Sequence, residues 1–430
     1  MPLRLNLSKE NIKLISFIFL STTLMRLIYD YVYSSQISVL YNYAGFLNEF
    51  EWGRCIVSWF FMYSLLPFVI ACVKVLTFSS IALYLLYFAH FVPGCIFISY
   101  MDIQFMWIWY IYYLLLFTFF YFFRFPQLTK NHFFFNKRII YFIITLFSIV
   151  VVFIWLYYAH GRIQIGFDDV YAARLEARGF GMPMLLRYIF SSVKKVMPLF
   201  AVWALKNNNL LLTFWFSVIQ LLIFFTDGSK STFFLLIVAF AGYLFLKNNL
   251  QRIKLVPLFF SLLGIVSILE YNLFNKYIIS GIFIRRVMFV PQNLNIYYYD
   301  FFTSHSPDFF QGSLLKIIGF ESEYGSIARM IGYYFSGSND LAANNGLFSD
   351  AYANLGFSGV FIMPFLIVLL LKVFDQMSSG LELATIIGAI PAFVSPLISA
   401  SFFTLFLSHG VISMLLFFYF LPRDDTRIKT

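Results

Sequence analysis

The 430-residue chain is 61% hydrophobic and 22% aromatic, and only 12% of its residues are charged. Soluble domains run at roughly 45–50% apolar and about 25% charged, so a soluble fold is excluded. The formal charge of +10 points to basic loops on the cytoplasmic side of a membrane rather than to a nucleic-acid partner.

A hydrocarbon core about 30 Å thick needs about 20 apolar residues per helix. The chain opens with the polar stretch 1–13 and then an apolar run without a small-residue cleavage site, which predicts an uncleaved first helix over 14–31. Further spans follow at 55–73, 77–100, 104–123 and 138–158, then at 184–205, 210–226, 231–246 and 255–271, and finally at 355–371, 383–399 and 403–421. The expected fold is therefore all-α, a polytopic bundle of about twelve transmembrane helices forming a single integral membrane domain over 1–430. Cys55, Cys72 and Cys95 lie in or beside apolar runs without metal-type spacing and read as small buried hydrophobes, with one disulfide between Cys55 and Cys95 as the alternative if both lie near the outer face.

An even number of spans puts both termini on one side. The loop with Arg124, Lys130, Lys137 and Arg138, the loop with Lys247, Arg252 and Lys254, and the tail with Arg423, Arg427 and Lys429 share that side. The excess of Lys and Arg identifies it as the cytoplasm. The extracytoplasmic side then holds a loop over 159–183, the turn 227–230 and a large loop over 272–354. A loop that long is functional by default. Its amphipathic pieces, FIRRVMF, YYYDFF, SLLKIIGF and ARMIGYYF, suit short helices lying in the interface or folding back over a cavity.

Nearly every residue able to carry chemistry falls in these outer loops. In 166–179 the punctuation describes a short helix, with Asp168 or Asp169 as its cap, Gly179 at its end, and Arg174 and Arg178 on one face. Such a guanidinium pair either grips phosphate bidentately or pairs internally with Asp169 and Glu176. Arg187, Lys194 and Lys195 form a cationic stripe on the following helix, which suits either the lining of an anion path or snorkelling lysines. Lys230, in Asp227-Gly-Ser-Lys-Ser231, opens a helix whose free N–H groups and dipole favour an anion.

In the large loop Arg285 and Arg286 sit in an apolar stretch and need anions, and Arg329 has a similar setting, with Glu321, Glu323, Asp340 and Asp350 as possible counter-charges. Asn344, Asn345, Tyr352 and Asn354 are of the kind that hydrogen-bond sugars, and Asp350 is a candidate proton acceptor. His305 and Asp169 are alternative bases. No HExxH, GxSxG or Cys/His cluster is present, so metal hydrolysis and serine chemistry have no support.

In order and sidedness these segments resemble the Wzy-type O-antigen and capsule polymerases. The resemblance is carried by Asp169-Val-Tyr-Ala-Ala-Arg-Leu-Glu176, Asp227-Gly-Ser-Lys-Ser231, Arg285-Arg286, Asn344-Asn-Gly346 and Asp350-Ala-Tyr-Ala-Asn-Leu-Gly356. It covers about 168–359; the first five spans match in hydropathy alone. Where members often show Arg at the helix-opening turn, this chain has Lys230.

The resemblance implies a GT-C-like fold in the bacterial cytoplasmic membrane and a metal-independent glycosyltransferase. Undecaprenyl-pyrophosphate-linked oligosaccharides would serve as donor and acceptor, and a chain-length regulator is a possible partner. Arg174, Arg178, Arg187, Lys230 and Arg329 would bind pyrophosphate, Arg285 and Arg286 would act with Asp350 in catalysis, and Asn344, Asn345, Tyr352 and Asn354 would hold the glycan. An O-antigen ligase and a lipid-linked oligosaccharide flippase are the alternatives.

Overall fold

The computed structural model describes residues 8–124, 135–160, 181–338 and 341–423. Among these the secondary structure is entirely helical. Seven helices are long and apolar enough to cross a membrane: Lys9–Leu40, Trp52–Lys74, Phe78–Tyr100, Lys137–Tyr158, Leu185–Lys206, Leu250–Phe274 and Phe348–Met377. The apolar helices Met106–Phe122, Leu210–Thr226, Lys230–Leu246, Ala389–Ser399 and Val411–Phe420 are shorter. The chain divides into two compact units interleaved along the sequence, one comprising 1–125, 253–371 and 397–402, the other 126–252, 372–396 and 403–430.

In the first unit, Lys9–Leu40 packs along Val256–Phe274. Gly264 is what allows the approach, because a Cβ there would stand 2.5 Å from Ile28 Cγ2. Small residues of this kind let helix backbones close up where no hydrophobic driving force separates helix from lipid. Polar clasps hold the seam. The Tyr29 hydroxyl donates to the Phe260 carbonyl at 3.0 Å, and the Ser267 hydroxyl donates to Gln36 Oε1 at 2.9 Å.

Arg26 and Asp30, one turn apart on the first helix, form an ion pair at 2.8 Å with the arginine fully buried. The guanidinium also donates to Ser58 at 2.9 Å and Ser99 at 2.7 Å on two neighbouring helices and lies over the Trp59 ring. A charge can be buried at this depth because its partner and hydrogen bonds replace water.

Phe78–Tyr100 is buried along nearly its whole length and widens into a π-helical turn at Tyr87–Phe91. That turn presents His90 to Gln292, whose Nε2 donates to His90 Nδ1 at 2.8 Å.

The second unit is clasped by one side chain. Gln220 Nε2, on Leu210–Asp227, donates to the Lys194 carbonyl at 3.0 Å and the Thr232 carbonyl at 2.8 Å, tying together the helices on either side. Lys206 pairs with Glu382 at 2.9 Å. Cys55, Cys72 and Cys95, all in the first unit, are buried and form no disulfide.

The stretch 272–354 contains the short helices expected of it, in more regular form. A π-helical segment, Ser280–Phe289, runs directly into Val290–Ser304, followed by a 3-10 turn at Leu315–Ile318 and by Ile327–Ser336. Tyr298, Phe301, Phe302, Ile331, Ala343 and Ala353 form the core beneath them. The next helix starts at Phe348, earlier than the span predicted from 355, and breaks at Gly356 with φ +56°. Phe348–Leu355 carries Ser349, Asp350 and Asn354, whose polarity hides the helix from a hydropathy ruler; all three are buried.

Candidate anion-binding site

The helix Val256–Phe274 ends on Asn275 in the left-handed region, φ +49°, with its N–H on the Tyr271 carbonyl. Asparagine tolerates that conformation better than most residues. The chain then turns through Lys276 and re-enters a helix, and Glu270 Oε2 fixes the re-entry by accepting the Ile279 N–H at 2.9 Å. A carboxylate that could have neutralised the turn is thereby engaged at the start of the next segment.

From Ser280 the backbone is π-helical, closing i to i+5, so the Val290 N–H reaches the Arg285 carbonyl. Such turns are rare and concentrate at functional positions. The wider turn brings consecutive side chains closer to one face. Arg285 and Arg286 accordingly line the same cavity, about 550 Å³ in volume, together with Lys276, Asn275, Gly281 and Tyr41. Arg285 is half-buried, with its Cζ 4.0 Å from the Tyr41 ring centroid and its Nε buried without a hydrogen-bond partner. Arg286 is exposed. Among the described residues no carboxylate pairs with Lys276, Arg285 or Arg286. Three cationic side chains therefore line one open space with no pairing carboxylate among the described residues, and the exposed Tyr277, Ile278 and Ile282 form an apolar rim. Such a site favours an anion, and one attached to an apolar chain would bury the rim as well.

The other sequence-predicted residues divide into groups. Asp169, Arg174 and Arg178 lie outside the described residues. Arg187 is exposed in the first turn of Met184–Lys206, and Lys230 is half-buried at the start of Lys230–Leu246; both belong to the second unit. Arg329 is exposed on Ile327–Ser336 and is not among the residues lining the cavity.

Asp350 and Asn354, expected to face substrate, are instead buried in a hydrogen-bonded joint. Asp350 Oδ2 accepts the Phe402 N–H at 2.8 Å, and its Oδ1 accepts from Asn354 Nδ2 at 2.9 Å. Asn354 Oδ1 in turn accepts the Phe310 N–H at 3.0 Å. Asn345 is also buried rather than open to a glycan, donating to the Pro291 carbonyl at 2.9 Å and to Ser349 at 2.8 Å. From Ser349 hydrogen bonds continue through Asn295 and Gln292 to His90.

Asn344 and Tyr352 fit a glycan better. Asn344 is exposed, and Tyr352 is half-buried, its ring 5.0 Å from that of Tyr299 and its hydroxyl 3.3 Å from Thr303 Oγ1. His305 is exposed, stacked on Phe301 with centroids 4.0 Å apart, and its Nδ1 lies 2.8 Å from the Phe301 carbonyl. A carbonyl can only accept, so that contact places the proton on Nδ1 and leaves Nε2 as the basic nitrogen.

Lys276 and Tyr41 were not singled out by sequence reasoning. Lys276 had a local signal, a lone cation just past the apolar run 255–271 and shortly before the arginine pair. Tyr41 had none, because only the fold brings it to residues so distant in sequence. No protein-family model matches the chain, and no curated protein or solved structure gives a significant match.

Proposed function

We propose that the protein is a Wzy-type polymerase that joins lipid-linked oligosaccharide repeat units into O-antigen or a related surface polysaccharide. In this reading it is a metal-independent, GT-C-like glycosyltransferase of the bacterial cytoplasmic membrane. Both termini are cytoplasmic and the cationic pocket opens on the outer side. The long apolar helices and the shorter ones together serve as about twelve crossings.

The observation that carries the reading is the pocket of Lys276, Arg285 and Arg286, with no pairing carboxylate among the described residues and a rim of exposed apolar side chains. An undecaprenyl pyrophosphate has a diphosphate for the cations and a hydrocarbon tail for the rim. In the reaction, the terminal hydroxyl oxygen of the acceptor unit attacks the anomeric carbon of the donor glycan. The bond from that carbon to the diphosphate breaks, and the electron pair leaves with the diphosphate. Charge develops on the leaving group as this happens, and cations already in place stabilise it without reorganisation. The hydroxyl proton passes to a base. His305 is the better assignment among the described candidates, since it is exposed and its Nδ1 faces the Phe301 carbonyl, whereas both Asp350 oxygens accept bonds in a buried joint. Asn344 and Tyr352 are assigned to the glycan.

Deleting the gene and running surface polysaccharide on a gel tests the reading. A single repeat unit on the lipid core supports polymerisation. Full-length lipid-linked chains that never reach the core would identify a ligase, and absence of repeat units outside the cell would identify a flippase.

A further inference from the structure

We infer that Tyr41 and Gly281 are a matched pair that positions Arg285, and that this match sets how tightly the pocket holds a diphosphate; the inference rests on the reading of the pocket given above. Among the described residues no carboxylate pairs with Arg285, and its Nε makes no hydrogen bond. What holds the guanidinium is the face of Tyr41, 4.0 Å from Cζ. A cation over an aromatic ring is held electrostatically while its N–H edges stay free for a ligand. That arrangement suits a group that must meet an incoming phosphate oxygen in a fixed orientation.

The ring is fixed from two sides. Its backbone closes the end of the first helix, with the Tyr41 N–H on the Ile37 carbonyl at 3.0 Å. Its tip lies against buried Gly281, one turn before Arg285 on the π-helical segment. A Cβ at position 281 would stand 2.5 Å from the Tyr41 hydroxyl oxygen but 3.7 Å from the ring carbon that bears it. The first distance is a clash and the second an ordinary contact. A methyl group at position 281 therefore forces the hydroxyl of a tyrosine at residue 41 to move, and it fits beside a phenylalanine there without any shift. Because only the tip of a side chain has to yield, the clash displaces the ring from Arg285 without disrupting the helix.

Tyr41 and Gly281 are thus positioning residues acting through Arg285, and a compensating double variant tests them. Inorganic pyrophosphate is titrated into the purified full-length protein in detergent by calorimetry, with thermal unfolding followed in parallel. Gly281→Ala should weaken binding about tenfold, on the order of a lost cation–π hold, with little change in the unfolding temperature. Tyr41→Ala should weaken it to a similar extent. Gly281→Ala combined with Tyr41→Phe should recover to within about threefold of wild type, because the ring is back beneath the guanidinium. A double variant no tighter than Gly281→Ala, or a Gly281→Ala protein that binds like wild type, overturns the pairing. Should Gly281→Ala fail to fold, Tyr41→Ala against Tyr41→Phe decides it, and equal affinity for the two overturns it. Wild-type protein that takes no pyrophosphate, or Arg285→Ala that takes it undiminished, refutes the pocket itself, a result distinct from failure of the pair.

Discussion

Asp350 receives the backbone N–H of Phe402 on its Oδ2 at 2.8 Å, which ties the helix Phe348–Leu355 to the backbone at Phe402 within the first unit. The carboxylate accepts this N–H while it is itself buried.

Asp350→Ala should therefore act on stability before chemistry. Stranding the Phe402 N–H costs about 1–3 kcal/mol, more where the lost partner is charged. Asp350→Asn keeps an acceptor for Phe402 but turns a second amide toward Asn354, and it should fall between wild type and alanine in thermal unfolding in detergent. An Asp350→Asn protein of wild-type stability with no polymerising activity would return Asp350 to the chemistry.

Arg285→Ala and Arg286→Ala should each abolish polymer, leaving single repeat units on the core, while the protein stays in the membrane at normal abundance. Lysine at either position retains charge but loses the planar fork, so partial chain extension is expected. Gel analysis of surface polysaccharide beside a membrane immunoblot separates the cases. Wild-type chain lengths in both alanine variants would remove the pair from the mechanism.

The ion pair of Arg26 and Asp30 makes a prediction of the opposite kind. Removing one partner leaves a buried charge uncompensated, at a cost of about 3–5 kcal/mol, whereas replacing both by apolar residues of similar volume is often neutral. Arg26→Met alone and Asp30→Leu alone should lower the unfolding temperature sharply, and the double variant should recover most of the loss. A double variant as unstable as the worse single one would mean that Ser58 and Ser99 depend on Arg26 for more than charge balance.

His305→Ala should stop chain extension with little change in stability, because the imidazole is exposed and touches the core only by stacking on Phe301. His305→Gln should not restore it, since an amide cannot take the proton. Normal polymer from the alanine variant would leave the base to Asp169 or Asp350.

How much of this was legible in the sequence differs from feature to feature. The apolar runs located the long helices because lipid and core both demand unbroken hydrophobicity, and Phe78–Tyr100 coincides closely with its predicted span. The same ruler failed at Val290–Ser304 and at Phe348–Leu355. Those helices bury Gln292, Asn295 and Ser349 against one another and Asp350 against Asn354 and the Phe402 N–H, so they need no apolar signature. Arg285-Arg286 was visible because two adjacent guanidinium groups in an apolar stretch demand an explanation locally. Arg26 and Asp30 carried an equally plain signal, opposite charges one turn apart in an apolar helix, yet hydropathy averaging passes over such a pair. Asn345 and Asn354 illustrate the converse difficulty: an amide that would suit a sugar suits a buried joint equally well, and only tertiary packing distinguishes the two.

The run of side chains from His90 through Gln292, Asn295 and Ser349 to Asn345 also bears on movement. Each member is buried and bonded to the next, so no link can slide without stranding a polar group away from water. The middle of Phe78–Tyr100, the start of Val290–Ser304 and the entry to Phe348–Leu355 must then travel as one strut. Movement within this unit has to come from parts this strut does not tie down, such as the turn around Lys276, where the Glu270 carboxylate holds the re-entering chain through the Ile279 N–H.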